Sequence, residues 1–147
     1  MAAPRKMSGL EFLTALKNGD IPPPAMARTL GFRPTEIAHG TITFQATPGT
    51  DVLNPMGVVH GGWYGALLDT VMGCAVQTTL PPGRIYTTLE YKVNLTRAIP
   101  PNMLSAAVGT VQHSGRSTAV AQGEIRGVEA GKLYATGSTT CILMDAP

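Results

Sequence analysis

Charge is scarce in this 147-residue chain: 14% of residues are charged, the formal net charge is +2, and neither sign gathers into a run. A nucleic-acid surface wants a clustered basic stripe, which these scattered charges do not supply. Cysteine is scarcer still. Cys74 and Cys141 both sit in apolar surroundings without metal-ligand spacing, so the sequence points to no metal site and to two reduced core residues in a cytoplasmic protein. The segment Met1 to Met7 carries two basic residues, but Glu11, Lys17 and Asp20 interrupt the stretch behind it. Neither a signal peptide nor a membrane-spanning helix is expected. With no repeat, low-complexity tract or composition shift, residues 1–147 read as one domain long enough for a hydrophobic core.

What is present concentrates in one place. Asn54-Pro55-Met56-Gly57-Val58-Val59-His60-Gly61-Gly62 runs directly into an apolar stretch, Trp63 to Leu80, that carries a single acid, Asp69. A lone helix acid ordinarily faces solvent or pairs with an arginine. Here, residues three and four apart share a face, so Asp69 is grouped with Gly62, Gly65, Ala66, Met72, Gly73 and Val76. Four of those neighbours are Gly or Ala, which leaves room for another backbone or a ligand beside the carboxylate. Tyr64, Leu67, Leu68, Val71, Cys74 and Ala75 point elsewhere and suit a core. Gly61 and Gly62 fall where the first N–H groups of a helix lack internal partners and the dipole is positive. Such donors suit a developing oxyanion, and Asn54 and His60 can orient the loop or touch a substrate carbonyl.

The rest of the chain supplies strands. Ser8 and Glu11 form a capping box ahead of the apolar positions Leu10, Phe12, Leu13 and Leu16, and Gly19 stops a short N-terminal helix. Ile21-Pro22-Pro23-Pro24 is a stiff connector. Met26 to Phe32 and Thr35 to Thr47 read as two strands around Arg33-Pro34. After Pro81-Pro82-Gly83, residues Arg84 to Leu95 alternate, with Ile85, Thr87, Leu89, Tyr91, Val93 and Leu95 as the expected buried face. Met103 to His113, Arg116 to Arg126 and Lys132 to Leu143 follow as strands separated by turns. One long helix laid on one antiparallel sheet is the simplest way to cover those apolar faces.

The string Asn-Pro-x-Gly-x-x-His-Gly-Gly, with an apolar helix whose Asp lies nine residues after the His, resembles the hotdog-fold thioesterases of the phenylacetate-degradation type. The resemblance implies an α+β hotdog fold, a sheet wrapped around a long helix, and hydrolysis of an acyl-CoA or aryl-CoA thioester. CoA then enters as part of the substrate, with no separate cofactor and no metal. It also implies Asp69 as base or nucleophile, Gly62 N–H as the oxyanion donor with Gly61 beside it, and Asn54 and His60 as supports of the carbonyl-binding loop. Thr88, or Thr87 if the alignment slips by one, resembles a hydroxyl that helps hold the attacking water. Arg116, with Ser117, stands where relatives often contact the CoA arm.

One sheet and one helix leave edges uncovered, and in similar proteins two chains pair so that the Asp of one faces the Asn and Gly loop of the other. A homodimer at least, or a homotetramer built as a dimer of dimers, is therefore expected, with no nucleic-acid or membrane partner. Two rivals stay open: an acyl-thioester hydratase or dehydratase of the same fold, and a non-catalytic acyl-CoA-binding protein. Trp63, Tyr64, Met72, Tyr86 and Tyr91 could line an aryl or an alkyl pocket.

Overall fold

The computed structural model describes residues 6–147, so the Met1–Arg5 part of the N-terminal segment lies outside it. Helix α1, Gly9–Asn18, begins with the expected reciprocal cap: the Ser8 hydroxyl accepts from Glu11 N–H while the Glu11 carboxylate accepts from Ser8 N–H. Gly19, at φ 84°, ends it in the left-handed region that glycine tolerates.

The next element overturns an expectation. Ala25–Leu30 is a one-and-a-half-turn helix, α2, not a strand: Pro24 stands at its N-cap and Gly31 closes it at φ 72°. Proline before a segment and glycine after it form the helical punctuation, and here they outweigh the apolar run between. The second expected strand is a hairpin, β1 Arg33–Ala38 and β2 Thr41–Ala46, turned at His39-Gly40. Pro34 is tolerated inside β1 because β1 is the sheet's edge.

A 3-10 turn over Thr50–Val52 leads into the long helix α3, Gly61–Gln77. Four strands follow: β3 Arg84–Leu95, β4 Ser105–Ser114, β5 Thr118–Gly127 and β6 Leu133–Asp145. All six form one antiparallel sheet in the order β1-β2-β4-β5-β6-β3. Helix α3 lies across its inner face, where Leu67, Leu68, Val71, Met72, Ala75 and Val76 are fully buried.

A row of glycines sets how closely helix and sheet approach. Gly109, Gly123 and Gly137 are directly paired across β4, β5 and β6. A Cβ on Gly109 would come within 2.3 Å of the Val71 carbonyl, and one on Gly123 within 2.9 Å of Met72 Cγ. No real Cβ tolerates either approach, so the sheet needs glycine there to close on α3.

The alternation expected along β3 holds only in part. The pairing of β3 with β6 shifts between Thr88 and Glu90, and such a bulge inverts which side chains face inward beyond it. Tyr86 and Thr88 face α3 before the bulge, and Tyr91 and Leu95 face it after. Leu89, Tyr91 and Leu95 remain 59%, 47% and 53% exposed, because β3 ends the sheet and its outer edge has no partner strand.

Candidate active site

Four residues of α3 spaced four apart, Gly61, Gly65, Asp69 and Gly73, form a single line facing β3. Their opposite numbers descend the strand in order: Leu95 against Gly61, Tyr91 against Gly65, Thr88 against Asp69, and Tyr86 against Gly73. The expected grouping with Met72 and Val76 does not hold, since both are buried in the core.

Asp69 is half-buried in this seam. The Thr88 hydroxyl donates to its Oδ1 at 2.9 Å, and Oδ2 makes no hydrogen bond among the described residues. Thr87 is exposed on the other face of β3, so the hydroxyl beside the carboxylate is that of Thr88.

The loop before α3 is internally braced. Asn54 Oδ1 accepts from the N–H groups of Met56 and Val58, and Asn54 N–H donates to the Val58 carbonyl at 2.8 Å. His60 is the N-cap of α3, its Nδ1 accepting from Gly62 N–H at 2.8 Å. Trp63 N–H reaches the His60 carbonyl at 3.0 Å. The Gly62 N–H, expected to be the free donor, is therefore already engaged. Gly61 N–H, the first of the helix, has no acceptor among the described residues. The sequence places both glycines at a helix start but cannot say that an imidazole two residues back would take one of them.

A cavity of about 400 Å³ opens at this end of the seam, lined by Asn54, Val58, Gly61, Tyr64, Leu95 and Arg97 among others, and not by Asp69. Tyr64 is fixed beneath it, its hydroxyl accepting from Ile99 N–H at 2.6 Å. Arg97 was not foreseen at this cavity; its proximity arises from the chain's turn after β3, which no motif marks.

Arg116 and Ser117 are not brought to either half. They lie in the exposed turn between β4 and β5, where the Arg116 carbonyl accepts from the Arg84 guanidinium and the Ser117 carbonyl from Leu143 N–H. That is the opposite end of β3 from the cavity. His39 and His113 are exposed. Trp63 and Met72 are buried, Trp63 edge-on against Phe32 at 5.8 Å, which leaves Tyr86 and Tyr91 as the aromatics beside the carboxylate.

Both cysteines are free. Burial, reinforced by the nearby Asp69 carboxylate, pushes the Cys74 thiol up to about 12. Burial likewise raises Cys141 and the Tyr86 phenol. The seam past Asp69 thus disfavours charge.

A glycine-opened helix N-terminus, a loop braced by asparagine and histidine, and a carboxylate on the same helix against a strand hydroxyl define a hotdog-type site. The family model of the thioesterase superfamily matches residues 56–133, and the chain belongs to that superfamily. A conserved protein from Pseudomonas aeruginosa is 30% identical, the match covering 83% of this chain and 95% of that one with a TM-score of 0.77. A phenylacetic acid degradation-related protein from Ralstonia eutropha JMP134 is also 30% identical, over 89% of this chain and 98% of that one, with a TM-score of 0.81. The PaaI protein from the phenylacetic acid degradation operon of E. coli shares the fold at a TM-score of 0.82 and 20% identity, over 95% and 98% of the two chains. A comparison with curated proteins finds no match. Among the described residues no helix is long and apolar enough to cross a membrane.

Proposed function

We propose that the protein hydrolyses an acyl-CoA thioester to the free acid and CoA, with Asp69 as the catalytic carboxylate and Gly61 N–H as the oxyanion donor. The observation that carries this reading is the pairing of Asp69 with Thr88 inside the seam, with one carboxylate oxygen held and the other free. In the base route, the free oxygen takes a proton from water as the water oxygen attacks the thioester carbon. The resulting oxyanion is held by an N–H, and collapse breaks the C–S bond and hands the proton to the departing thiolate. In the nucleophilic route the carboxylate itself attacks the thioester carbon, the C–S bond breaks and CoA leaves as a thiolate that takes a proton from solvent, and water then hydrolyses the mixed anhydride to the free acid and the restored Asp69 carboxylate. Thr88 steadies the carboxylate in either route. A neighbour from Streptococcus mutans UA159, 21% identical with a TM-score of 0.71, was solved bound to acetyl-CoA, which supports a CoA thioester as the ligand class.

Gly61 and Asp69 cannot act on one carbonyl from one chain. Eight residues of helix separate them, about 12 Å of rise, whereas a reacting carbonyl must lie about 3 Å from each partner. A second copy resolves this. Antiparallel self-pairing of the free β3 edge, centred near Tyr91, sets Thr88 and Asp69 of one copy beside Leu95 and Gly61 of the other. The apolar side chains exposed at that edge, Leu89, Tyr91 and Leu95, suit coverage by such a partner. The proposed unit is thus a homodimer with two shared sites, and pairing of two dimers gives the tetramer. Asn54 and His60 act as positioning residues for the donor loop.

Release of CoA from a panel of acyl- and aryl-CoAs, followed with a thiol reagent, tests the reading. Turnover that Asp69→Asn reduces by orders of magnitude is the expected result. Undiminished turnover in that variant contradicts it, and tight CoA-thioester binding without turnover would favour a non-catalytic binder.

A further inference from the structure

We infer that the diphosphate of the CoA arm is gripped across the dimer, by Arg97 of the copy that supplies Gly61 and Arg84 of the copy that supplies Asp69; this deepens the reading of a shared thioesterase site and rests on it. Within one chain the two arginines are far apart, at opposite ends of β3. Arg84 is its first residue, and Arg97 stands two residues past its last. They lie seven and six residues from Tyr91 on its two sides, so antiparallel pairing centred near Tyr91 brings Arg84 of one copy beside Arg97 of the other. Both are on the helix side of the sheet. Arg84 is in phase with Tyr86 and Thr88, which face α3, and Arg97 lines the cavity at Gly61.

The two arginines play unequal parts. The Arg84 guanidinium is held by the Asp145 carboxylate at 2.8 Å and by the Arg116 carbonyl, which fixes its direction and offsets its charge. Arg97 is exposed and forms no ion pair among the described residues. Its N–H and that of Thr96 both donate to the Tyr134 carbonyl, so its backbone is anchored while its charge is unopposed. The cavity that adjoins Gly61 has Thr96, Arg97 and Ala98 on its lining, all exposed, and so gives a polar, phosphorylated arm its route to water. Distance selects the part of CoA that meets the guanidinium. From Leu95, whose side chain lies against Gly61, to Arg97 is about 7 Å of chain, and an extended arginine reaches about 6 Å further. The arm between thioester sulfur and diphosphate matches about four extended residues, ~14 Å. A thioester carbonyl at Gly61 N–H thus sets the diphosphate at Arg97, where the planar guanidinium suits phosphate oxygens.

The test compares CoA thioesters with the matching N-acetylcysteamine thioesters, which carry no phosphate, on wild type, Arg97→Gln and Arg84→Gln. In Arg97→Gln the ratio of kcat/KM for the CoA thioester to that for the truncated one should fall about tenfold, through KM. Arg84→Gln moves the ratio the same way and less far. Thioesters of 3′-dephospho-CoA should show the same losses; losses confined to thioesters that keep the 3′-phosphate overturn the diphosphate assignment. An unchanged ratio in Arg97→Gln overturns the clamp. Mixed dimers with one working carboxylate, isolated by two affinity tags, test its placement. Arg97→Gln on the Asp69→Asn copy should raise KM, and Arg97→Gln on the copy with intact Asp69 should not; the reverse pattern, or no difference, overturns the assignment across copies. Calorimetric binding of CoA and of pantetheine separates this from failure of the hydrolase reading. A loss in Arg97→Gln of about tenfold for CoA and not for pantetheine upholds the clamp even if no thioester is turned over. Unchanged CoA affinity in that variant, or no CoA binding by the wild type, overturns it.

Discussion

Thr88 Oγ1 donates to Asp69 Oδ1 at 2.9 Å, tying the one acid of α3 to the strand that forms the free edge of the sheet. A hydrogen bond to a charged group contributes about 1.5–3 kcal/mol. We expect Thr88→Ala to lower kcat by about ten- to a hundredfold on that scale, with Thr88→Ser retaining most of the rate. Steady-state CoA release on one good substrate reads both.

The assignment of Gly61 as donor has a backbone-level test. Gly61 is the first residue of α3, and the residue before it, His60, is extended at φ −62° and ψ 137°. Proline fits that position without disturbing the helix, yet has no N–H. Gly61→Pro should fold with a near-native circular dichroism spectrum and melting temperature but lose about a hundred- to a thousandfold in kcat. Gly61→Ala keeps the N–H. Its Cβ meets only the flexible Leu95 side chain, at 3.2 Å, so its loss should be much smaller.

His60→Ala removes the acceptor that caps Gly62 and should cost about 1 kcal/mol of stability, read as a lower melting temperature. His60→Asn, whose side chain can also cap, should recover part of it.

Stability should fall in alkali. In the unfolded chain the thiols ionise near their ordinary value of 9.0, while folded Cys74 holds its proton up to about 12. Between those values the folded state binds more protons, so stability declines as pH rises through that window and is fully present below it. The raised Cys141 thiol and Tyr86 phenol act in the same direction. Denaturant midpoints measured from pH 8 to 11 check the slope, and Cys74→Ala with Cys141→Ser should flatten it.

Gly73 and Tyr86 exclude one another's alternatives. Gly73→Ala should destabilise by about 1–3 kcal/mol through overpacking. The cost should be partly relieved when combined with Tyr86→Leu. A double-mutant cycle in urea measures that coupling.

Much of this was legible in the sequence where a local rule was strong. The capping box of α1, the Arg84–Leu95 span of β3 and the helix after His60-Gly61-Gly62 all follow from side-chain periodicity and punctuation. The errors have physical causes. Ala25–Leu30 lacks enough length to display a helical period, so its apolar residues read as a strand. Alternation had put Tyr91 and Leu95 on the inner face together with Thr87; the bulge at Thr88/Glu90 adds one residue to β3, so that before it Tyr86 and Thr88 face the helix and Thr87 faces away. His60 takes the Gly62 N–H through a side-chain geometry that spacing does not encode. Arg116 was placed at the CoA arm by resemblance to relatives and by no local rule, and in one chain its turn packs at the Arg84 end of β3, away from that chain's own cavity.

The most direct test of a site shared between two copies is complementation. Asp69→Asn and Gly61→Pro should each be inactive alone. When the two are unfolded, mixed in equal amounts and refolded together, half the dimers are mixed, and each mixed dimer holds one site with an intact Asp69 and an intact Gly61. Activity should return to about one quarter of wild type. Mixtures that stay as inactive as their components, with mixed dimers confirmed by mass spectrometry, would contradict the account.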